Sequence, residues 1–144
     1  MMRSGSAGTT LAENADTPTV LVVADKLRVR EYTSVMVKDT GLYNVITARS
    51  GEEAIQMAKA TKGEIRVLLS EFRMAGMTGM ELAAELTTQR PKIKVLLMSD
   101  FPTGTLVLNE GWHFLPKPFV ASQLSALITT LARPDSKSRF AKAK

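Results

Sequence analysis

The chain of 144 residues contains no cysteine. That excludes a disulfide framework, a thiolate metal site and a thiol nucleophile together. It also lacks any apolar run near the roughly 20 residues of a membrane span. The polar start MMRSGSAGTT has no apolar stretch of the kind a signal peptide carries. A soluble, cytoplasmic protein is expected. No internal repeat and no glycine-rich phosphate loop is present. The length suits one domain with tails, long enough to bury a core without cross-links or metals.

What the chain does have is a formal charge of +5, and its distribution matters more than its sum. The first 18 residues carry −1, residues 19–133 carry +3 and the last 11 carry +3. The closing segment PDSKSRFAKAK holds Lys137, Arg139, Lys142 and Lys144 with little apolar content, and reads as a solvated tail. A nucleic-acid arm is the less favoured reading. The expected organisation is a flexible N-terminal tail at 1–18, one domain at 19–133 and a basic C-terminal tail at 134–144.

Within the domain, short apolar and β-branched runs alternate with helical periods. Candidate strands are Thr19–Val23, Asn44–Ala48, Ile65–Ser70, Lys94–Met98 and Trp112–Leu115. Candidate helices are Leu27–Lys38, Ser50–Lys59, Gly79–Gln89 and about Val120–Ala132. Ser50 and Glu53 have capping-box spacing, and Leu124, Leu127, Ile128 and Leu131 form a core-facing stripe. Alternation of this kind predicts a doubly wound parallel α/β sheet. Ligands bind such sheets beyond the carboxyl ends of the strands. The residues following each strand are therefore the informative ones. They are Ala24, Asp25 and Lys26; Glu71; Ser99 and Asp100; and Pro116, Lys117 and Pro118.

These residues carry a family resemblance. VLVVADK resembles the receiver pattern VLVVDDE, SEFRMAGMTGMEL resembles the phosphoacceptor stretch D-x-R-M-P-G-M-x-G-x-E-L, and KVLLMSD and FLPKPF resemble the last two strands of response-regulator receiver domains. The resemblance runs in order over about residues 19–132. It implies a flavodoxin-like sheet in the order 2-1-3-4-5, Mg²⁺ held by acidic residues, and an aspartyl phosphate donated by a histidine kinase. Carried over by position, Asp25 matches the second metal-binding acid and Ala24 replaces the first. Glu71 stands where the phosphoacceptor Asp belongs. Ser99 matches the switch hydroxyl, Phe114 the aromatic switch position, and Lys117 the lysine that pairs with the phosphoryl group. Ala75 replaces the usual Pro after Met74, and Asp100 stands where a small residue is common. Ser99 and Lys117 are 18 positions apart, a few fewer than in the family. The helix between the fourth and fifth strands is thus expected to be short, irregular or absent. Pro102, Gly104 and Gly111 agree.

The resemblance also locates the departure that matters. Glutamate extends the carboxylate by one bond, about 1.5 Å, into volume where metal or phosphoryl oxygen belongs. Three acids and a lysine sum to −2 in the family, whereas Asp25, Glu71 and Lys117 sum to −1. Mg²⁺ binding is expected to be weak. Glu71 is expected to be a permanent anion paired with Lys117 or Lys26, in preference to a phosphorylated glutamate or to Asp25 as a substitute acceptor. Asp100 is expected to face solvent, and Arg73 is either an exposed loop residue or an anion contact. His113, the one histidine, falls in a strand and not on the helical bundle of a phosphotransfer domain. Met74 and Met77 read as packing residues.

The expected function is an atypical receiver in two-component or phosphorelay signalling, acting through contacts with a histidine kinase or downstream effector, and not an enzyme. Phosphorylation is impaired or lost. The rival readings are a working phosphoacceptor at Glu71 and a flavodoxin-like small-molecule binder such as an FMN protein. No membrane contact is expected, nucleic acid is unlikely, and the oligomeric state cannot be read.

Overall fold

Strand β1 (Thr19–Val23) is apolar on both faces, and four of its residues, Val20 to Val23, have no solvent exposure. A strand of that kind needs cover on both sides, which the architecture supplies. The computed structural model describes residues 17–100 and 112–133. In chain order the elements are β1, α1 (Leu27–Lys38), β2 (Asn44–Ala48), α2 (Gly51–Ala60), β3 (Ile65–Glu71), α3 (Gly79–Gln89), β4 (Lys94–Ser99), β5 (Trp112–Pro116) and α4 (Ala121–Leu131). The sheet has five strands in the order β2-β1-β3-β4-β5, every neighbouring pair parallel. The expected flavodoxin-like order is the observed one. The segment between β4 and β5, where a short, irregular or absent helix is expected, lies at 101–111; it, residues 1–16 of the expected 1–18 tail and the tail at 134–144 are outside the described residues.

Period-two alternation along the strands divides the core. Leu21, Val23, Leu68, Val95 and Leu97 meet Ala54, Ala58, Leu82, Ala83 and Leu86 from α2 and α3. Val20, Val22, Val67, Leu69, Leu96 and Met98 meet Val37, Leu124, Ile128 and Leu131 from α1 and α4. Each such leucine or valine stabilises the fold by about 1.5–3 kcal/mol relative to exposure. The stripe on α4 is core packing, as its spacing predicts.

Three strands run one residue further than their apolar runs. Glu71 pairs with Met98 and Ser99 with Pro116, so the ladder continues through polar side chains. Glu71 and Ser99 are thus the last residues of their strands, not the first residues after them. At α2, Ser50 caps Glu53 N–H at 3.0 Å, but the Glu53 carboxylate accepts from Arg49 N–H at 2.7 Å and not from Ser50. The full reciprocal box occurs at α3. There Thr78 accepts from Glu81 N–H at 3.1 Å and Glu81 accepts from Thr78 N–H at 2.9 Å.

Gly79 opens α3 directly behind the end of β3, donating its N–H to Phe72 O at 2.9 Å. A β-carbon at Gly79 would run into the carbonyl of Glu71. Gly79→Ala is therefore expected to cost about 2 kcal/mol, as overpacking of a close backbone contact does. Gly63→Ala meets nothing within 4 Å, and should shift stability by no more than about 0.5 kcal/mol. Urea unfolding of both variants measures the difference.

Candidate functional site

A carboxylate ends the central strand β3, and Glu71 is only 5% exposed there. Burial of a charge is costly unless it is paired and hydrogen-bonded. Lys117 supplies the pair: its Nζ lies 2.7 Å from Glu71 Oε1 and 2.9 Å from Oε2. The lysine is aimed by backbone, because its N–H donates to Ser99 O at 2.8 Å and so prolongs the β4–β5 pairing by one step. From there it reaches across the end of β4, where Ser99 is buried, to the end of β3. Of the two cations the sequence leaves open, Lys117 is the partner; Lys26 is exposed and sits at the N-cap of α1.

Asp25 follows β1 on the same edge. Its Oδ2 accepts from Ala75 N–H at 3.1 Å, while its Oδ1 is shut off from solvent without a hydrogen-bond partner. Proline has no N–H, so alanine at 75 provides a donor that the family's usual residue lacks. Ala24 is fully buried, and its carbonyl accepts from the Arg30 guanidinium at 2.8 Å. Arg30 thereby folds back from α1 onto the end of β1. Nothing in the one-dimensional pattern points to that contact, since Arg30 lies on a helix face.

Phe114 of β5 packs edge-on against Phe72, with ring centroids 5.8 Å apart. Phe114 is half-buried against the loop that follows β3. Asp100 is exposed, as expected of a carboxylate that would otherwise crowd the site. Arg73 is exposed, Met74 is buried and Met77 packs against the α2–α3 side of the core. His113 is exposed on β5, and Trp112 beside it packs against the core.

Among the described residues no three histidine or acidic side chains gather as a metal site. Mg²⁺ demands near-octahedral oxygen ligation, usually with one or two carboxylates plus waters. Here both Glu71 oxygens are on an ammonium, one Asp25 oxygen is on a backbone N–H, and Ala24 offers no side-chain donor atom. Among these carboxylate oxygens only Asp25 Oδ1 has no hydrogen bond, so a divalent cation would have to share or displace the partners of the others. The residues fit a firmly held divalent cation poorly.

The pair can be tested without any ligand. Lys117→Met leaves the Glu71 carboxylate buried and unpaired, and is expected to cost about 3 kcal/mol. Adding Glu71→Gln removes the orphaned charge and should recover most of that loss. A double-mutant cycle by chemical unfolding measures the coupling.

The model of the response regulator receiver domain family matches residues 20–129. The sensor kinase CckA of Brucella abortus is 32% identical over 114 residues, which cover 76% of this chain and 12% of that kinase. The chain thus spans about an eighth of that relative's length. The crystal structure of the receiver domain of a hybrid histidine kinase CckA aligns at a TM-score of 0.69 and 28% identity, covering 80% of this chain and 99% of that one. A receiver domain protein from Clostridium thermocellum has the same fold at a TM-score of 0.73 and 23% identity, covering 85% and 98% of the two chains.

Proposed function

The chain belongs to the response regulator receiver domain family, and we propose that it is an atypical receiver that signals through protein contacts, with phosphorylation at Glu71 impaired or lost. Receiver domains serve two-component signalling as modules that interact with histidine kinases and effectors, and they bind Mg²⁺ at the phosphorylation site. The observation that carries the proposal is the doubly held carboxylate of Glu71, locked on Lys117 through both oxygens.

Phosphoryl transfer to a carboxylate depends on positioning and on charge stabilisation, since the protein supplies little covalent chemistry. The longer side chain of Glu71 displaces the nucleophile, and the missing acid at Ala24 removes the second anchor for a metal. A permanent anion on Lys117 occupies the place that a regulated phosphoryl group takes in a responsive site. One carboxylate carries less charge and fewer acceptor oxygens than a phosphoryl group, so it imitates that group poorly. The partner is accordingly a kinase or effector surface that recognises the fold in a fixed state.

Incubation with acetyl phosphate and Mg²⁺, followed by intact mass, should show no gain of a phosphoryl group on the wild type. A gain mapped to Glu71 would overturn the proposal in favour of a working glutamate acceptor. Glu71→Asp alone should label poorly, and Ala24→Asp with Glu71→Asp much better, because metal ligands and nucleophile act as one non-additive unit. Equal labelling of the single and double variants would show that Ala24 is not limiting.

A further inference from the structure

The charge that composition spreads along the chain is collected by the fold at the edge opposite the site. In a parallel sheet the strands begin, and the helices between them end, at the same side. Lys59 lies in the last turn of α2 and Lys62 just beyond it; Arg66 is the second residue of β3; Arg90 caps α3; Lys92 and Lys94 lead into β4; Arg133 follows α4. Hydrogen bonds bring these segments together. The Arg90 guanidinium donates to Ala58 O at 2.9 Å, Thr61 O at 2.8 Å and Gly63 O at 3.0 Å, drawing the α3–β4 connection against the α2–β3 connection. Arg66 donates to Ala132 O at 2.6 Å and so ties the start of β3 to the end of α4.

These seven cations face one carboxylate in the same segments, Glu64, which is itself held by Arg66 at 2.9 Å. The formal excess of six is larger than the +5 of the entire chain. Helix C-termini favour nearby cations, which accounts for Lys59, Arg90 and Arg133 but not for Lys62, Lys92 and Lys94. Lys59, Lys62, Lys92, Lys94 and Arg133 form no ion pair among the described residues.

We infer that this amino-terminal edge of the sheet binds the phosphate backbone of duplex nucleic acid, without reading sequence. Two of the three guanidiniums, Arg66 and Arg90, are spent on backbone carbonyls and a carboxylate. Four lysines and Arg133 remain, and the lysines act as point charges on phosphates. A membrane surface is the less fitting occupant, because stable attachment needs an apolar insertion besides charge. The exposed large apolar side chains, Leu27, Tyr32, Val35, Leu42 and Val120, all lie outside these segments. No aromatic side chain lies in the α2–β3 or α3–β4 connection to stack single-stranded bases. The site is separate from the Glu71–Lys117 edge, so the two can be loaded independently.

The test uses the full chain and a random-sequence DNA duplex, followed by fluorescence anisotropy at several salt concentrations. Binding in the range of about 10⁻⁴–10⁻⁶ M is expected, weakening steeply with salt and indifferent to sequence. Lys59→Gln with Lys62→Gln and Lys92→Gln should weaken it roughly tenfold at low salt and make the log–log salt slope shallower by about 2.7, from three lost phosphate contacts. Three outcomes would overturn the inference: no binding at low salt, a triple variant with unchanged affinity and slope, or tighter binding to vesicles of phosphatidylglycerol and phosphatidylcholine than to the duplex. Phosphorylation assays of the same triple variant should match the wild type, which keeps this result distinct from the reading of Glu71.

Discussion

A carboxylate buried at the end of the central strand must keep a positive partner, and much of the carboxyl edge is arranged around that need. Glu71 is reachable by Lys117 only because β5 lies two strands away in a fixed parallel register, with Ser99 ending the strand between them. A slip of one residue in β4 or β5 would turn side chains to the opposite face and leave the carboxylate unpaired. Removing one partner of a buried ion pair costs more than the pair adds to stability. The pair therefore penalises a slipped register even where it adds little to stability. It also sets the chemistry of the edge, because an anion neutralised within the chain has little attraction left for an external cation.

Asp25 on the same edge is held separately from that pair. One of its oxygens is committed to Ala75 N–H, and the neighbouring position offers only the methyl group of Ala24. Arg30 holds the Ala24 carbonyl with its guanidinium. Ala24, Glu71 and Ala75 thus meet at one edge: an apolar methyl group, an anion already paired with Lys117, and a backbone N–H that holds one Asp25 oxygen.

Much of this was legible in the sequence, for reasons that are physical. Apolar runs such as TVLVV and the four-residue stripe on α4 announce burial directly, so the order and type of the elements follow. The carboxyl-edge rule then brings Asp25, Glu71, Ser99 and Lys117 to one side without knowledge of any distance. Strand ends were less legible, because hydrogen bonding continues through polar residues such as Glu71 and Ser99 where the hydrophobic signal stops. Residue spacing alone left open whether Lys117 or Lys26 is the partner of Glu71, although the resemblance pointed to Lys117. The choice depends on a backbone bond from Lys117 to Ser99, and residue spacing carries no such information. The capping box of Thr78 and Glu81 had a readable spacing, whereas the Ala75 N–H to Asp25 contact crosses 50 positions of sequence.

Charge shows the limit of linear reading most clearly. Counted along the chain, the domain is only mildly basic and the excess belongs as much to the tail. Folding separates the signs, because helix ends and strand starts are distant in sequence but adjacent at one edge of a parallel sheet. Arg90 illustrates the coupling of stability to surface field. Its three carbonyl bonds close the connections between α2, β3 and α3, yet a guanidinium that is hydrogen-bonded to neutral groups keeps its full charge. The groups that hold this edge together therefore also make it positive. At the opposite edge the converse holds, since the bond that secures Glu71 cancels its charge. One fold thus presents a neutralised site at one end and a strongly charged surface at the other: half-buried Lys117 is spent on a carboxylate, whereas half-buried Arg90 bonds only carbonyls and the lysines around it have no ion pair among the described residues.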